Sequence, residues 1–337
     1  MLKSRIFSTC IVIALAAMLS EGCGKKNETE ATPEGDGVQV KESGTGEKVD
    51  LVLSYSSGNY EMQMGQEIDQ RIKVKNGQTQ GQTIEQAFTI DLTVSEPDEA
   101  GNRTTTMEYT RVTQKMDMGS LAVNYDSASP PGPSASRSER QIAQTMGALL
   151  GASIELTMGP DGEPLEVKGL DKVWDDMAAV NPAARQIAQS MKQQLGNDSI
   201  KQLWEMQALL LPSESIAPGA RWTARQTTAM PVLGEATVSY KCKLTKVAEE
   251  DGHRLAHVDF TGDIQSRGGV EGPMPNTEIG AVNLEQKGTY IFDLDLNMIT
   301  RQQMTQQGTI EMQVQGQEVT SEQTMTQTLT VTPTASD

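Results

Sequence analysis

The chain has 337 residues and carries 45 Asp and Glu against 28 Lys and Arg, a formal net charge of −17. So acidic a surface repels polyanions, and no basic run interleaved with aromatics offsets it, which argues against nucleic-acid binding. Aromatics make up only 4% of the residues, so the core must be economical, with 18 Met available to fill irregular gaps.

Residues 1–22 read as an export leader. Lys3 and Arg5 precede the apolar run Ile11–Leu19, and small residues follow in Ser20-Glu21-Gly22-Cys23. That order of charge, apolar core and small residues describes a signal peptide, and the run falls short of the roughly 20 residues a spanning helix needs. Gly22-Cys23 resembles a bacterial lipobox, in which Cys23 becomes the acylated N-terminus. Ser20 stands where that motif usually has Leu, with Leu19 one place further out, and Glu21 also departs from it. Ordinary secretion with cleavage nearby is the alternative. Residues 23–49 are polar and rich in Gly, Glu and Thr, so they are expected to be a lipid anchor and unstructured tether. Firm attachment takes more than one acyl chain.

The body is then taken in chain order. Phe88, Ile90, Leu92 and Val94 alternate with Thr89, Asp91 and Thr93, the period of a half-buried strand. Glu96–Asn102 is a turn, and Met107 and Tyr109 begin the returning strand. The apolar parity then shifts to Val112, Met116 and Met118, which predicts a bulge. Ser127–Ser138 is a Pro/Ser/Gly loop, followed by a short helix with Ile142, Met146, Leu149 and Leu150 on one side. Pro160-Asp161-Gly162 turns another hairpin. From Leu170 to Leu211 the spacing is helical, with Asn181-Pro182 as a cap and first turn. Strands return after Gly219. Ala236, Val238, Tyr240, Cys242 and Leu244 alternate with polar residues, and the acidic turn before His253 leads to a strand with Ala256, Val258 and Phe260. Tyr290, Phe292, Leu294 and Leu296 mark a further strand. Gln315–Gln317 turns the last hairpin, whose final strand faces Met325, Leu329 and Val331 inward and a row of threonines outward.

The fold class expected is α+β, mostly antiparallel β, with long curved sheets in two β-rich halves, residues 50–168 and 212–333. A helical segment, residues 169–211, is expected to cover them. The hairpins "LTVSEPDEAGNRTTTMEYT" and "LTKVAEEDGHRLAHVDFT" suggest one theme used twice. The stretches "KVKNGQTQGQTIEQAFTIDLTV", "MDMGSLAVNYDS", "MGPDGEPLEV" and "LLLPSESIAPGARW", together with the leader, resemble a family of uncharacterised bacterial lipoproteins of planctomycete type. That resemblance implies an envelope lipoprotein and carries no catalytic residues with it.

Chemistry is sparse. Cys10 leaves with the leader and Cys23 is lipid-bound or lost, so Cys242 stands alone and no internal disulfide forms. Its place on the apolar face of a strand makes it a buried, inert thiol. His253 and His257 have a helical chelating spacing, but on a strand four residues span about 13 Å, too far for one ion, and the metalloprotease Glu is missing. Asp293 and Asp295 share one strand face and are expected to be solvated, as are the acidic turns at Glu96–Glu99 and Glu249–Asp251. Trp174, Trp204 and Trp222 are expected as core anchors. There is no nucleophile elbow, no phosphate loop and no dinucleotide fingerprint. The expectation is therefore a non-enzymatic protein with no cofactor or metal, anchored in the envelope and facing the periplasm. Its partners would be the membrane, through the lipid, and a hydrophobic ligand. The alternative is a structural or assembly lipoprotein with envelope protein partners.

Overall fold

A computed structural model describes residues 36–334, apart from 76, 78, 118, 120–121, 231–232, 272–276 and a scatter of positions between 181 and 206. The leader, Cys23 and the Asn181-Pro182 cap lie outside the described residues.

The strands are β1 (Gly37–Glu42), β2 (Gly58–Val74), β3 (Thr79–Val94), β4 (Arg103–Asp117) and β5 (Ala122–Asp126). After helix α1 (Arg137–Gly147) come β6 (Ser153–Met158), β7 (Pro164–Lys168) and helix α2 (Leu170–Val180). The second half contains β8 (Arg221–Met230), β9 (Gly234–Glu250), β10 (His253–Ser266), β11 (Val270–Glu271), β12 (Thr277–Asp293), β13 (Met298–Val314) and β14 (Gln317–Pro333). All belong to one 14-stranded sheet, ordered β1-β8-β9-β10-β12-β13-β14-β2-β3-β4-β6-β7, with β5 on β4 and β11 on β12. Every pairing is antiparallel. The two β-rich halves are therefore not separate. β14, last in sequence, pairs along its length with β2, from Val319 opposite Val74 to Pro333 opposite Tyr60.

Period-two patterning makes this sheet two-faced. On β3, Ile84, Gln86, Phe88, Ile90, Leu92 and Val94 are buried while the residues between them are exposed or half-buried. The parity shift on β4 is a bulge. Thr89 pairs with Arg111 and Ile90 with Tyr109, so Thr110 is the extra residue, and its hydroxyl bonds the Thr89 carbonyl at 3.2 Å. β2, β9, β12, β13 and β14 each have 17 residues, about 55 Å of extended chain. Neighbours so long accumulate a right-handed twist of about 20° each, which curls the buried side into an inner face. The Trp222 indole of β8 and the Tyr290 hydroxyl of β12 both donate to the Leu210 carbonyl, at 3.1 and 2.8 Å, across that face.

Three sequence expectations change. The polar stretch predicted as tether up to Val49 joins the sheet from Gly37, because Val38 and Val40 pack inward as β1 pairs with β8. Val49 is buried and exchanges backbone bonds with Ile216. The strand read through Leu296 stops at Asp293, and residues 294–297 turn. The two hairpins read as one repeated theme differ in their turns. β9 and β10 are joined by Asp251 and Gly252 alone, both at positive φ, whereas the β3–β4 turn folds around Asp98, whose carboxylate accepts three hydrogen bonds from Ala100 and Asn102.

Candidate functional site

Three places gather polar chemistry: a corner where two turns meet, a layer of amides on the inner face, and a concavity on the outer face.

The corner holds the residues singled out in sequence. Asp293 is not solvated. It is 3% exposed, and its Oδ1 accepts the backbone amides of Asp295 and Leu296 at 2.9 and 3.0 Å. An Asp that folds back on the next amides initiates a turn, which is why the strand ends here. Asp295 accepts the Arg254 amide at 2.8 Å. His253 Nδ1 lies 2.9 Å from Asp293 Oδ2, an ion-pair distance without hydrogen-bond alignment. One ligand atom from each of His253, Asp293 and Asp295 falls within 4.8 Å of the others, a spacing a metal ion could bridge. The backbone already holds both carboxylates, and the segment Ser54–Ser56 locks the turn through the carbonyls of Leu296 and Asn297. The corner thus acts as a structural clasp. His257 pairs separately, 3.1 Å from Glu250, so the two histidines do not converge. Burial first, and the Asp293 charge second, hold the nearby Tyr60 phenol above its usual range.

Cys242 is buried on the inner face and its thiol is pushed up to about 12 by desolvation alone. Trp174 and Trp222 are buried in the core, and Trp204 meets Tyr55 edge-on at 5.6 Å.

The inner face carries an unexpected layer. Gln66 stands directly opposite Gln86, which stands opposite Gln114, and Gln70 stands opposite Gln82. Gln286 and Gln306 pair on the next strands. All are buried. Some amides satisfy each other: Gln82 donates to Gln70, Gln70 to Ser321 and Gln286 to Gln306. Gln66 and Gln86 end instead on thioethers, Met325 at 2.6 Å and Met146 of α1 at 4.0 Å. Sulfur is a weak acceptor. The side-chain oxygens of Gln66, Gln86, Gln114 and Gln286 have no partner among the described residues. A buried unpaired polar atom costs about 1–3 kcal/mol, so this layer is built at the expense of stability.

The outer face is mostly Thr, Gln and charge. In the β2–β4 region four of its cations have carboxylates: Lys73 with Glu322, Lys75 with Glu318, Lys115 with Glu85 and Arg111 with Asp126. On β8–β13 it dips into a concavity of about 850 Å³. Lys41, Arg221, Lys241, Lys243 and Lys287 line it, with Asp259 its one described carboxylate. Arg221 leans on Glu42 at 3.6 Å, and Lys41 donates to Gln39 at 2.6 Å. Among the described residues no carboxylate comes within 4.0 Å of the ammonium groups of Lys241, Lys243 or Lys287.

Sequence reading missed both arrangements. Its signal for the amides was glutamine at inward-facing positions beside Ile68, Ile72 and Ile84. The cations come from four strands and only the register assembles them.

The model of a family of unknown function, DUF6263, matches residues 100–335. No curated protein matches the chain. Among solved structures it is similar to lipovitellin, described for its lipid–protein interactions, with a TM-score of 0.40 and 11% identity over 84% of this chain. The chain spans 26% of the lipovitellin chain. It is also similar to DynF of the dynemicin pathway of Micromonospora chersina, at TM-score 0.20 and 6% identity, covering 93% of this chain and 96% of that one. A third likeness is to Salmonella typhi OmpF in complex with daunomycin, at 0.22 and 9%, covering 80% and 98%. These likenesses are too slight to assign a fold or a ligand.

Proposed function

The chain belongs to DUF6263, a family of unknown function, and on that premise we propose that it is an exported, lipid-anchored binding protein of the cell envelope. It faces the periplasm, is moored through Cys23, catalyses no reaction and carries a hydrophobic ligand with a polar group along the inner face of its sheet. The observation that carries this reading is the buried amide layer set among apolar side chains. Gln66, Gln86 and Gln114 sit in one cross-strand row with free oxygens, flanked by Ile68, Ile84 and Met116 in the next row. A sheet selected only for stability would fill that row with apolar side chains. An amphiphile supplies what the row lacks: hydrogen-bond donors for the oxygens and apolar surface for the flanks. The absence of a nucleophile-and-base pair in the sequence and the inert Cys242 fit a carrier rather than a catalyst.

The test is native mass spectrometry of the mature protein taken from membranes, followed by organic extraction. The expected result is a non-covalent amphiphile at near one-to-one stoichiometry, lost when Gln66, Gln86 and Gln114 are replaced together by Met. A folded wild-type protein that carries nothing, and acquires nothing from an envelope lipid extract, contradicts the proposal.

A further inference from the structure

We propose that the outer concavity docks the protein onto anionic phospholipid headgroups, with Lys41, Arg221, Lys241, Lys243 and Lys287 as the phosphate-binding set. Three observations on this face lead there.

The first is the contrast within one sheet. On β2–β4 the outer lysines Lys73, Lys75 and Lys115 each have a carboxylate at bonding distance. On β9 and β12 Lys241, Lys243 and Lys287 have none among the described residues. A chain with 17 more acidic than basic residues has carboxylates to spare, yet among the described residues only Asp259 lines this concavity. The second is register. Arg221 stands directly opposite Lys243, and like charges directly opposite destabilise a sheet. Lys241 and Lys287 flank Thr261 in the adjoining row. Glu42 opposite Arg221 and Asp259 opposite Lys243 balance the first of these rows, whereas the row Thr223, Lys241, Thr261, Lys287 and Thr305 holds two cations and no carboxylate. A phosphate seated between Lys241 and Lys287 supplies the anion their row lacks, and Thr223, Thr261 and Thr289, which also line the concavity, add neutral donors. The third is position. Lys41 belongs to β1, the first strand of the folded body, and Gly37 follows Cys23 by 14 residues. Even fully extended, those residues reach no more than about 50 Å. An acyl chain on Cys23 therefore keeps β1 within that reach of a bilayer surface.

Phosphate esters also occur on free metabolites and nucleic acids. The membrane is favoured because the site is broad and open and because Cys23, the proposed acylation site, lies only 14 residues before β1. The arrangement orients the protein: the cationic patch faces the headgroups and the acidic remainder faces away. The docking rests on the anchored reading for its geometry, and an intact mass of each preparation separates the two.

The experiment is amine footprinting of the native lipoprotein, with its own anchor, in nanodiscs of phosphatidylcholine alone or mixed with phosphatidylglycerol. Lys241, Lys243 and Lys287 are expected to acylate about fivefold more slowly in the anionic discs, and Lys73 and Lys115 to be unchanged. The protection is expected to fade as salt rises toward roughly 0.5 M and the Debye length shrinks. The K241Q/K243Q/K287Q variant, if it folds with wild-type circular dichroism, should lose protection of Lys41. Should it not fold, the salt dependence on wild type still decides. Equal reactivity in both discs overturns the docking. So does equal protection by inorganic phosphate, or by a DNA oligonucleotide, on detergent-solubilised protein with no anionic lipid present. An acylated chain whose lysines stay open in anionic discs defeats the docking and leaves the anchor standing.

Discussion

Gln114 makes no hydrogen bond through its buried side-chain oxygen, and its neighbours Gln66 and Gln86 donate only to sulfur. Replacing such a group by an apolar one of similar shape removes a desolvation penalty. Gln114→Met is therefore expected to raise the stability of ligand-free protein by about 1 kcal/mol, read as a higher urea midpoint, while reducing co-purified amphiphile. A lower midpoint would mean that the amide is satisfied in the native protein. Cys242 gives a second residue-scale prediction. Burial raises its thiol to about 12, against roughly 8.5 in an unfolded chain. The folded state then keeps a proton that the unfolded state has lost, so stability is full below about pH 8.5 and declines as pH rises toward 12. At pH 8 the thiol should stay unlabelled by iodoacetamide until denaturant is added. Rapid labelling of folded protein would contradict its burial. Cys242 was legible because its neighbours alternate so regularly. The amides were not, because a glutamine in a strand reads as an outward residue until the register shows which side it occupies.

At the scale of elements, the parity shift on β4 announced the bulge at Thr110 before any pairing was known, since an extra residue is the simplest way to keep both Met107 and Val112 inside. The end of β12 was misread because Leu294 and Leu296 continue the alternation, while the decisive feature is an Asp carboxylate folding back on two amides. Helix α1 begins with a complete capping box: the Ser136 hydroxyl accepts from the Glu139 amide and the Glu139 carboxylate accepts from the Ser136 amide. Ser136→Ala should cost about 1 kcal/mol. The Glu139 carboxyl is held below its usual range first by the backbone amide of Ser136 and then by its side chain. Its contribution is thus present above the unfolded carboxylate range and lost as pH falls through the lowered folded value. A tighter element-level device lies on the inner face. Tyr240 stands across from Gly262 and Phe260 across from Gly288, so glycines leave room for rings, an arrangement that also pins register. A Cβ on Gly288 would come 2.8 Å from the Phe260 ring and 2.3 Å from the Gln303 carbonyl. Gly288→Ala should therefore destabilise by about 1–3 kcal/mol, measured by urea unfolding, and a neutral effect would refute this packing.

The whole molecule turns on the pairing of β14 with β2. Local patterning displays two β-rich halves, and nothing in either says that the last strand returns to the first half. That pairing spans some 250 residues of chain, and sequence periodicity reports only neighbours. If the sheet is one cooperative body, native-state hydrogen exchange should protect amides of β13, β14, β2 and β3 to a common opening free energy. Two separate opening energies, divided between β14 and β2, would restore the picture of two halves. A continuous sheet with one polar face and one apolar face suits an anchored carrier: the same strands present Lys241 and Lys243 outward and Tyr240 and Cys242 inward. We propose that this sheet is moored to a membrane through Cys23. The intact mass of the mature protein isolated from its native envelope tests that claim most directly. The predicted result is a chain beginning at Cys23 with the added mass of a diacylglyceryl group. A soluble, unacylated chain beginning at any other residue would contradict it.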